Sequence, residues 1–255
     1  MSGTLAVLIG AGAALASGAA TFLLISSRDR RYRSGQYYRV TGLERKDLKN
    51  DAARMSEYKV YERLREYEEK GAKFLFNLYL PISGGRTTEL DAVMICSRGI
   101  FVFESKSRYG WLEGSETDRE WSQFLFRKDG SLIENKLYNP ILQNRGHIAH
   151  LKKLLGGRIR TWSVISFSEN TDIERINVSD PDTFVTHESK LPIIVGNIYW
   201  NAKDTLTEKD ITSIYFKLYP YMYVTDEQKE KHINDIKHKY IYGKGKGKRK
   251  TRKKK

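Results

Sequence analysis

Glu89-Leu90-Asp91-Ala92-Val93-Met94-Ile95-Cys96, then Ser97-Arg98-Gly99, then Ile100-Phe101-Val102-Phe103-Glu104-Ser105-Lys106: two apolar runs, each with charged residues at its outer end, are joined by three turn-forming residues. Runs rich in Val, Ile and Phe on either side of a short Gly-containing turn predict two adjacent strands. Side chains alternate faces along a strand, so Glu89 and Asp91 should share one face, and Glu104 and Lys106 one face of the neighbour. The hairpin then brings three carboxylates and one ammonium to the same end. Hard divalent cations such as Mg²⁺ take oxygen ligands, commonly one or two carboxylates together with water and substrate phosphate. An ammonium beside them suits orienting or deprotonating a water, or stabilising charge that builds on phosphorus. The same residues also suit a solvated strand end closed by a surface salt bridge, so on their own they leave both readings open.

Outward from the hairpin, Leu43 to Lys70 carries Leu48, Met55, Val60 and Leu64 among many charges, which predicts one long or two successive amphipathic helices ending at Gly71. Phe74 to Leu80 reads as a strand stopped by Pro81-Ile82-Ser83-Gly84-Gly85. Trp111 and Trp121 flank a polar stretch read as a loop, with packing on a sheet and stacking on a base both open to them. Asn139-Pro140 starts a helix that runs to about Leu155, and Gln143 and His147, four apart, share one of its faces. Thr161 to Phe167 predicts a central strand, Thr183 to Thr186 a shorter one near an edge, and Glu208 to Leu218 a helix. Thr225 to Tyr240 has a stronger helix signature, with Thr225 and Gln228 as a capping box. This order implies an α/β sandwich with a mixed sheet.

From about Met55 to Leu155 the chain resembles the nuclease-related domain, NERD, a branch of the PD-(D/E)xK restriction-endonuclease-like superfamily. The resemblance rests on Ser56-Glu57 with Val60 and Leu64, Asn77-Leu78-Tyr79-Leu80-Pro81, Thr88-Glu89-Leu90-Asp91 and Gly99 to Lys106. It continues through Tyr109-Gly110-Trp111-Leu112-Glu113-Gly114, Trp121, Tyr138 to Asn144, His147 and Leu151, about two-fifths of the chain. It implies a restriction-endonuclease-like fold with a mixed sheet flanked by helices. It also implies Asp91 and Glu104 as ligands of Mg²⁺ or Mn²⁺, Ser105 as a ligand through its carbonyl, and Lys106 as the catalytic lysine. Glu57 corresponds to a helical glutamate aimed at the same metal, and Gln143 to a glutamine beside the active site. The family usually has Gly where Ser56 stands, and Ser105-Lys106-Ser107 departs from the usual neighbours of the lysine. Tyr often stands four residues after the glutamine, where this chain has His147.

With 255 residues and 40% hydrophobic content, the chain has material for one good-sized domain plus appendages. Its one cysteine, Cys96, excludes an intramolecular disulfide and reads as a buried structural thiol, and the five histidines show no zinc-like spacing with it. Thr4 to Ser26 has no charged side chain; as a helix with a rise of about 1.5 Å per residue it would run roughly 34 Å, enough to cross a hydrocarbon core. Arg28, Arg30, Arg31 and Arg33 follow directly and no basic residue precedes, which predicts a single-pass anchor in the cell membrane with the remainder in the cytoplasm. Ala14-Leu15-Ala16 supports the competing reading, a cleaved signal peptide. Lys244 to Lys255 holds nine Lys or Arg of a chain whose formal net charge is +14, and should be a disordered tail able to lie on nucleic acid or on anionic lipid.

The expected organisation is an anchor over 1–27, a basic linker over 28–42, a nuclease-related domain with a C-terminal extension over 43–222, a helix over 223–242 and the tail over 243–255. The expected function is metal-dependent hydrolysis of phosphodiester bonds, in DNA first. The competing expectation is a nucleic-acid-binding or membrane-tethering module that keeps a nuclease-like fold without cleaving.

Overall fold

The computed structural model describes residues 27–225, 227 and 229–235. The quoted hairpin lies at its centre: β2 (Arg86–Cys96) and β3 (Gly99–Lys106) pair antiparallel, with Ile95 opposite Ile100 and Ala92 opposite Phe103. Gly99 turns the chain at φ 120°, and a Cβ there would lie 2.4 Å from the Arg160 carbonyl oxygen, so this close crossing requires glycine. β1 (Lys73–Ile82) pairs antiparallel with β2; it extends through Pro81 and Ile82, two residues expected in the turn. β7 (Thr161–Phe167) and β9 (Thr183–His187) add in parallel beyond β3, giving the order β1-β2-β3-β7-β9.

A second sheet was not foreseen. β4 (Gly110–Ser115), β5 (Glu120–Phe126) and β6 (Leu132–Tyr138) form an antiparallel meander, and β8 (Thr171–Asn177) pairs in parallel with β4. The supposed loop between Trp111 and Trp121 is therefore largely sheet. Trp121 is fully buried with Leu112, Ile141, Ile165 and Phe167, while Trp111 stacks on Phe124 with centroids 5.1 Å apart. Both indoles pack against neighbouring side chains, Trp121 in the core and Trp111 half-buried. The architecture is thus mixed α/β with two mixed sheets and flanking helices.

The helices begin earlier than the expected linker allows. Residues 27–34 are helical, followed by α1 (Gln36–Thr41), α2 (Arg45–Leu48), α3 (Ala52–Leu64) and a 3₁₀ turn over Arg65–Glu68. Tyr32 and Tyr37 are fully buried, and the Tyr37 ring meets Phe76 with centroids 4.7 Å apart. Gln36 accepts from the Phe74 N–H and donates to the Ala72 carbonyl, tying α1 to the start of β1. Arg and Tyr make this stretch look polar in sequence, yet each such aromatic pair adds about 0.5–1.5 kcal/mol to its buried area. Of the two helical alternatives for 43–70, two successive helices is the observed one.

α4 (Pro140–Leu155) runs over the residues expected; the Asn139 side chain accepts from the Ile141 N–H, Pro140 occupies the first turn, and Gly156 ends the helix at φ 74°. α5 (Leu191–Asn201) was not anticipated, and α6 (Glu208–Leu218) opens on a capping box made by Thr207 and Asp210. Glu227 and residues 229–235 are helical; Gln228, and with it the capping box expected at Thr225, lies outside the described residues. So do the apolar stretch Thr4 to Ser26 and the basic tail. Among the described residues no helix is long and apolar enough to cross a membrane.

One rung of the first sheet departs from regular alternation. Phe74 and Phe76 pack on one face with Tyr37 and Tyr61, and Leu75 on the other, but Leu78 and Leu80 then fall on the Leu75 side. On β2 the same slip separates Leu90, on the Leu75 side, from Ala92 and Met94 on the Phe76 side. Between the Phe76–Ala92 and Leu78–Leu90 pairs the register skips Asn77 and Asp91, and Asn77 has φ 51°, a left-handed conformation that Asn tolerates better than branched residues do. The regular alternation breaks between Leu90 and Ala92, yet Glu89 and Asp91 both line one cavity.

Candidate active site

Asp91, at that irregular rung, turns its carboxylate toward β3: Oδ2 accepts the Ser105 backbone N–H at 2.7 Å. Glu104 and Lys106 project from β3 on the α4 side, and Lys106 Nζ lies 2.5 Å from Glu104 Oε1. That contact is an ion pair without good hydrogen-bond alignment; Glu104 is fully buried and neither of its carboxylate oxygens accepts a well-aligned hydrogen bond. From α4, Gln143 Oε1 accepts from Lys106 Nζ at 3.3 Å, and His147 Nδ1 stands 3.4 Å from Glu104 Oε2. The face of the helix that carries Gln143 and His147 thus looks at the β3 charges.

α4 is held in this orientation by Asn144, which sequence reading passed over. Its fully buried amide donates to the Val102 carbonyl and to Ser163 Oγ, both at 2.9 Å. Glu57 comes from α3, whose first turn is capped by Asp51, and is 4% exposed. Asn77 Nδ2 donates to Glu57 Oε2 at 2.7 Å, so the left-handed Asn77 links the helical glutamate to the rung of Asp91. Asn in an apolar strand was the available signal for it. Ser105 points its hydroxyl at Ser166 Oγ, 3.3 Å away on β7. Glu89 departs from the expected cluster in its contacts: its Oε1 accepts from the Tyr79 hydroxyl at 2.7 Å, and its Oε2 faces His232 Nε2 at 3.5 Å.

These groups line a cavity of about 790 Å³, with Arg86, Arg108 and Lys136 on its walls. Burial pushes the Asp91 carboxyl well up, the Glu104 charge adds to the rise, and Lys106 and the Ser105 N–H oppose it. Burial likewise raises Glu104, against the pull of Lys106. Burial alone would lower Lys106, but the Glu104 and Asp91 charges outweigh it and hold the ammonium above its ordinary value. Glu57 is raised well above the carboxylate range by burial first and by Asp91 second, with the Asn77 hydrogen bond opposing. Three crowded carboxyls with one close ammonium leave an excess of negative charge that a cation would relieve.

Among the described residues no three His, Cys, Asp or Glu side chains converge tightly enough to cage an ion by themselves. The Asp91 carboxylate and the poorly bonded Glu104 oxygens offer oxygen donors only, which suits a hard cation that keeps several of its waters. The residues therefore fit Mg²⁺ or Mn²⁺ better than zinc.

The buried Glu57 carboxyl has a testable effect on stability. With its folded-state pKa raised, Glu57 makes a contribution to stability that is fully present below its ordinary value of 4.5 and is lost as pH rises through the folded value. Glu57→Gln removes that loss. Thermal melts without divalent cations are expected to show a higher Tm for the variant at pH 8 and a difference that shrinks toward pH 4. A difference that is constant with pH, or reversed, would contradict the raised pKa.

Residues 52–168 match the model of NERD, the nuclease-related domain. An uncharacterized protein of Bacillus anthracis is 27% identical over 177 residues, covering 69% of this chain and 80% of that relative. No solved structure matches the chain. The domain match suggests nuclease-like activity at the level of the family. The matched residues 52–168 carry Glu57, Asp91, Glu104, Lys106, Gln143 and His147, and the similarity to the nuclease-related domain rests on them.

Proposed function

We propose that the chain is a divalent-metal-dependent nuclease that hydrolyses phosphodiester bonds in nucleic acid, DNA first, and that Thr4 to Ser26 anchors it in a membrane with the nuclease domain on the cytoplasmic side. The observation that carries the hydrolase reading is the convergence of Asp91, Glu104 and Lys106 on one cavity, with Gln143 on the lysine. Asp91 and Glu104 would hold Mg²⁺ or Mn²⁺, with the Ser105 carbonyl beside them and Glu57 near enough to Asp91 electrostatically to assist. Bound there, the ion supplies Lewis-acid polarisation of the phosphate and a more acidic water.

The other groups act on their own account. Lys106, held charged by its two carboxylate neighbours, donates to a developing phosphate charge or positions the attacking water, and Gln143 fixes its direction. Arg86, Arg108 and Lys136 attract the phosphate backbone into the cavity. The anchor rests on the uncharged stretch and the four arginines that follow it.

The full chain, purified in detergent, should cleave DNA or RNA with Mg²⁺ or Mn²⁺ and stop with EDTA, and in cells it should stay with membranes after alkaline wash. A salt-sensitive shift of DNA in gels with no product formed would instead favour the binding module. Release into the soluble fraction would remove the anchor.

A further inference from the structure

The helix over residues 229–235 forms a wall of the cavity although it lies beyond the residues that match the family model. His232 is 6% exposed, and its Nδ1 lies 3.0 Å from the Thr87 hydroxyl and 3.1 Å from the Thr87 carbonyl oxygen. Its Nε2 faces Glu89, and its ring meets Tyr79 edge-on with centroids 5.4 Å apart. Lys231 Nζ donates to the Gly85 carbonyl at 3.0 Å. The helix is thereby pinned along the β1–β2 hairpin. Three residues on, Asp235 lines the same cavity, with a buried Oδ2 that has no hydrogen-bond partner among the described residues. A helix merely lying on the surface has no reason to bury a histidine against the strand that carries Asp91.

Across the cavity stand Lys136 and Tyr138 of β6 and Gln143 and His150 of α4. The cavity, about 790 Å³ and partly open to solvent, falls in the volume range of pockets that hold a small ligand. An intact duplex brings its paired second strand to the reacting phosphate and so needs a wider cleft than a single strand does. A single strand enters differently, with its bases splayed and its backbone following basic groups.

We infer that the helix over 229–235 is a specificity element: it admits a single strand or a frayed end to Asp91, Glu104 and Lys106 and excludes intact duplex, and His232 is the residue that holds it in place. This rests on the nuclease reading above and names the substrate class for that site. The test uses the full chain in detergent with Mg²⁺, a labelled 30-nucleotide single strand, and the same strand in a blunt duplex. The parent protein should cut the single strand at least tenfold faster. His232→Ala should bring the ratio toward one by raising duplex cleavage, and His232→Asn, which can still bond Thr87, should restore discrimination. Equal rates on the two substrates for the parent, or an unchanged ratio in a folded His232→Ala, would overturn the inference. Absence of cleavage on both substrates would instead strike the nuclease reading.

Discussion

Lys106→Ala is expected to lower metal-dependent cleavage by about 10²–10⁴-fold, the range associated with loss of one positioned acid–base group. Its ammonium is placed by Glu104 Oε1 on one side and Gln143 Oε1 on the other, so the group is pre-positioned and does not have to be recruited from solvent. Alanine also leaves the buried Glu104 without its cation, and burial then drives that carboxyl further toward the protonated form. The variant should therefore bind metal more weakly as well. A titration with Mn²⁺ separates the two effects. If the lysine acts in the chemistry, saturating metal leaves the rate low; if it only keeps Glu104 charged, saturating metal at higher pH restores the rate. Circular dichroism should report the same secondary structure as the parent. Wild-type rates in a folded Lys106→Ala would remove the lysine from the mechanism.

Asp91→Asn should abolish cleavage while leaving the fold intact. The amide keeps the shape of the carboxylate, and its oxygen can still accept the Ser105 N–H. What it removes is a charge that burial and Glu104 make unfavourable, so without metal the variant should melt above the parent at neutral pH. With metal the order should reverse. At a concentration about 100 times its Kd, an ion that binds only the native state adds about 2.7 kcal/mol, and the parent should show that rise in Tm with Mn²⁺ while Asp91→Asn does not. This pairing of gained stability with lost function distinguishes a metal ligand from an ordinary buried acid. Equal Mn²⁺-dependent shifts in the two proteins would place the ion elsewhere.

The central hairpin was legible because its signals are local. Two β-branched and aromatic runs flank Ser97-Arg98-Gly99, and the glycine is needed where the Arg160 carbonyl passes. The helix after Asn139-Pro140 was legible for the same reason, and the four-residue spacing of Gln143 and His147 gave the face that meets Glu104. The second sheet was not. Its strands are short and half polar, and β4 is completed by β8, a Thr-Asp-Ile-Glu-Arg-Ile-Asn run that alternates only weakly and joins from about sixty residues away. α5 escaped because Leu-Pro-Ile-Ile-Val-Gly is apolar on every side and so has no helical period to read. The stretch before α3 misled through composition, since its arginines face outward while Tyr32 and Tyr37 fill the core.

Within the site, Asp91, Glu104, Lys106, Gln143 and Glu57 all line one cavity. The roles of their supports were not legible, although Asn77 and Asn144 stand in the stretches that carry the resemblance. Asn77 works through a left-handed backbone at one rung, Asn144 through two buried hydrogen bonds, and His232 through contacts 145 residues away along the chain. Alternation by twos predicts where a regular strand points its side chains, and it fails at the rung where the strand is irregular. That rung carries Asp91, whose Oδ2 reaches the Ser105 N–H, while Glu89 contacts Tyr79 and His232 on the same cavity.

Anomalous diffraction from crystals of the full chain soaked in Mn²⁺ tests the arrangement most directly. A single strong peak is expected between the carboxylates of Asp91 and Glu104, within reach of the Ser105 carbonyl and absent from Asp91→Asn crystals. A peak elsewhere, or an empty site in a protein that still cleaves nucleic acid with Mn²⁺, would contradict the account.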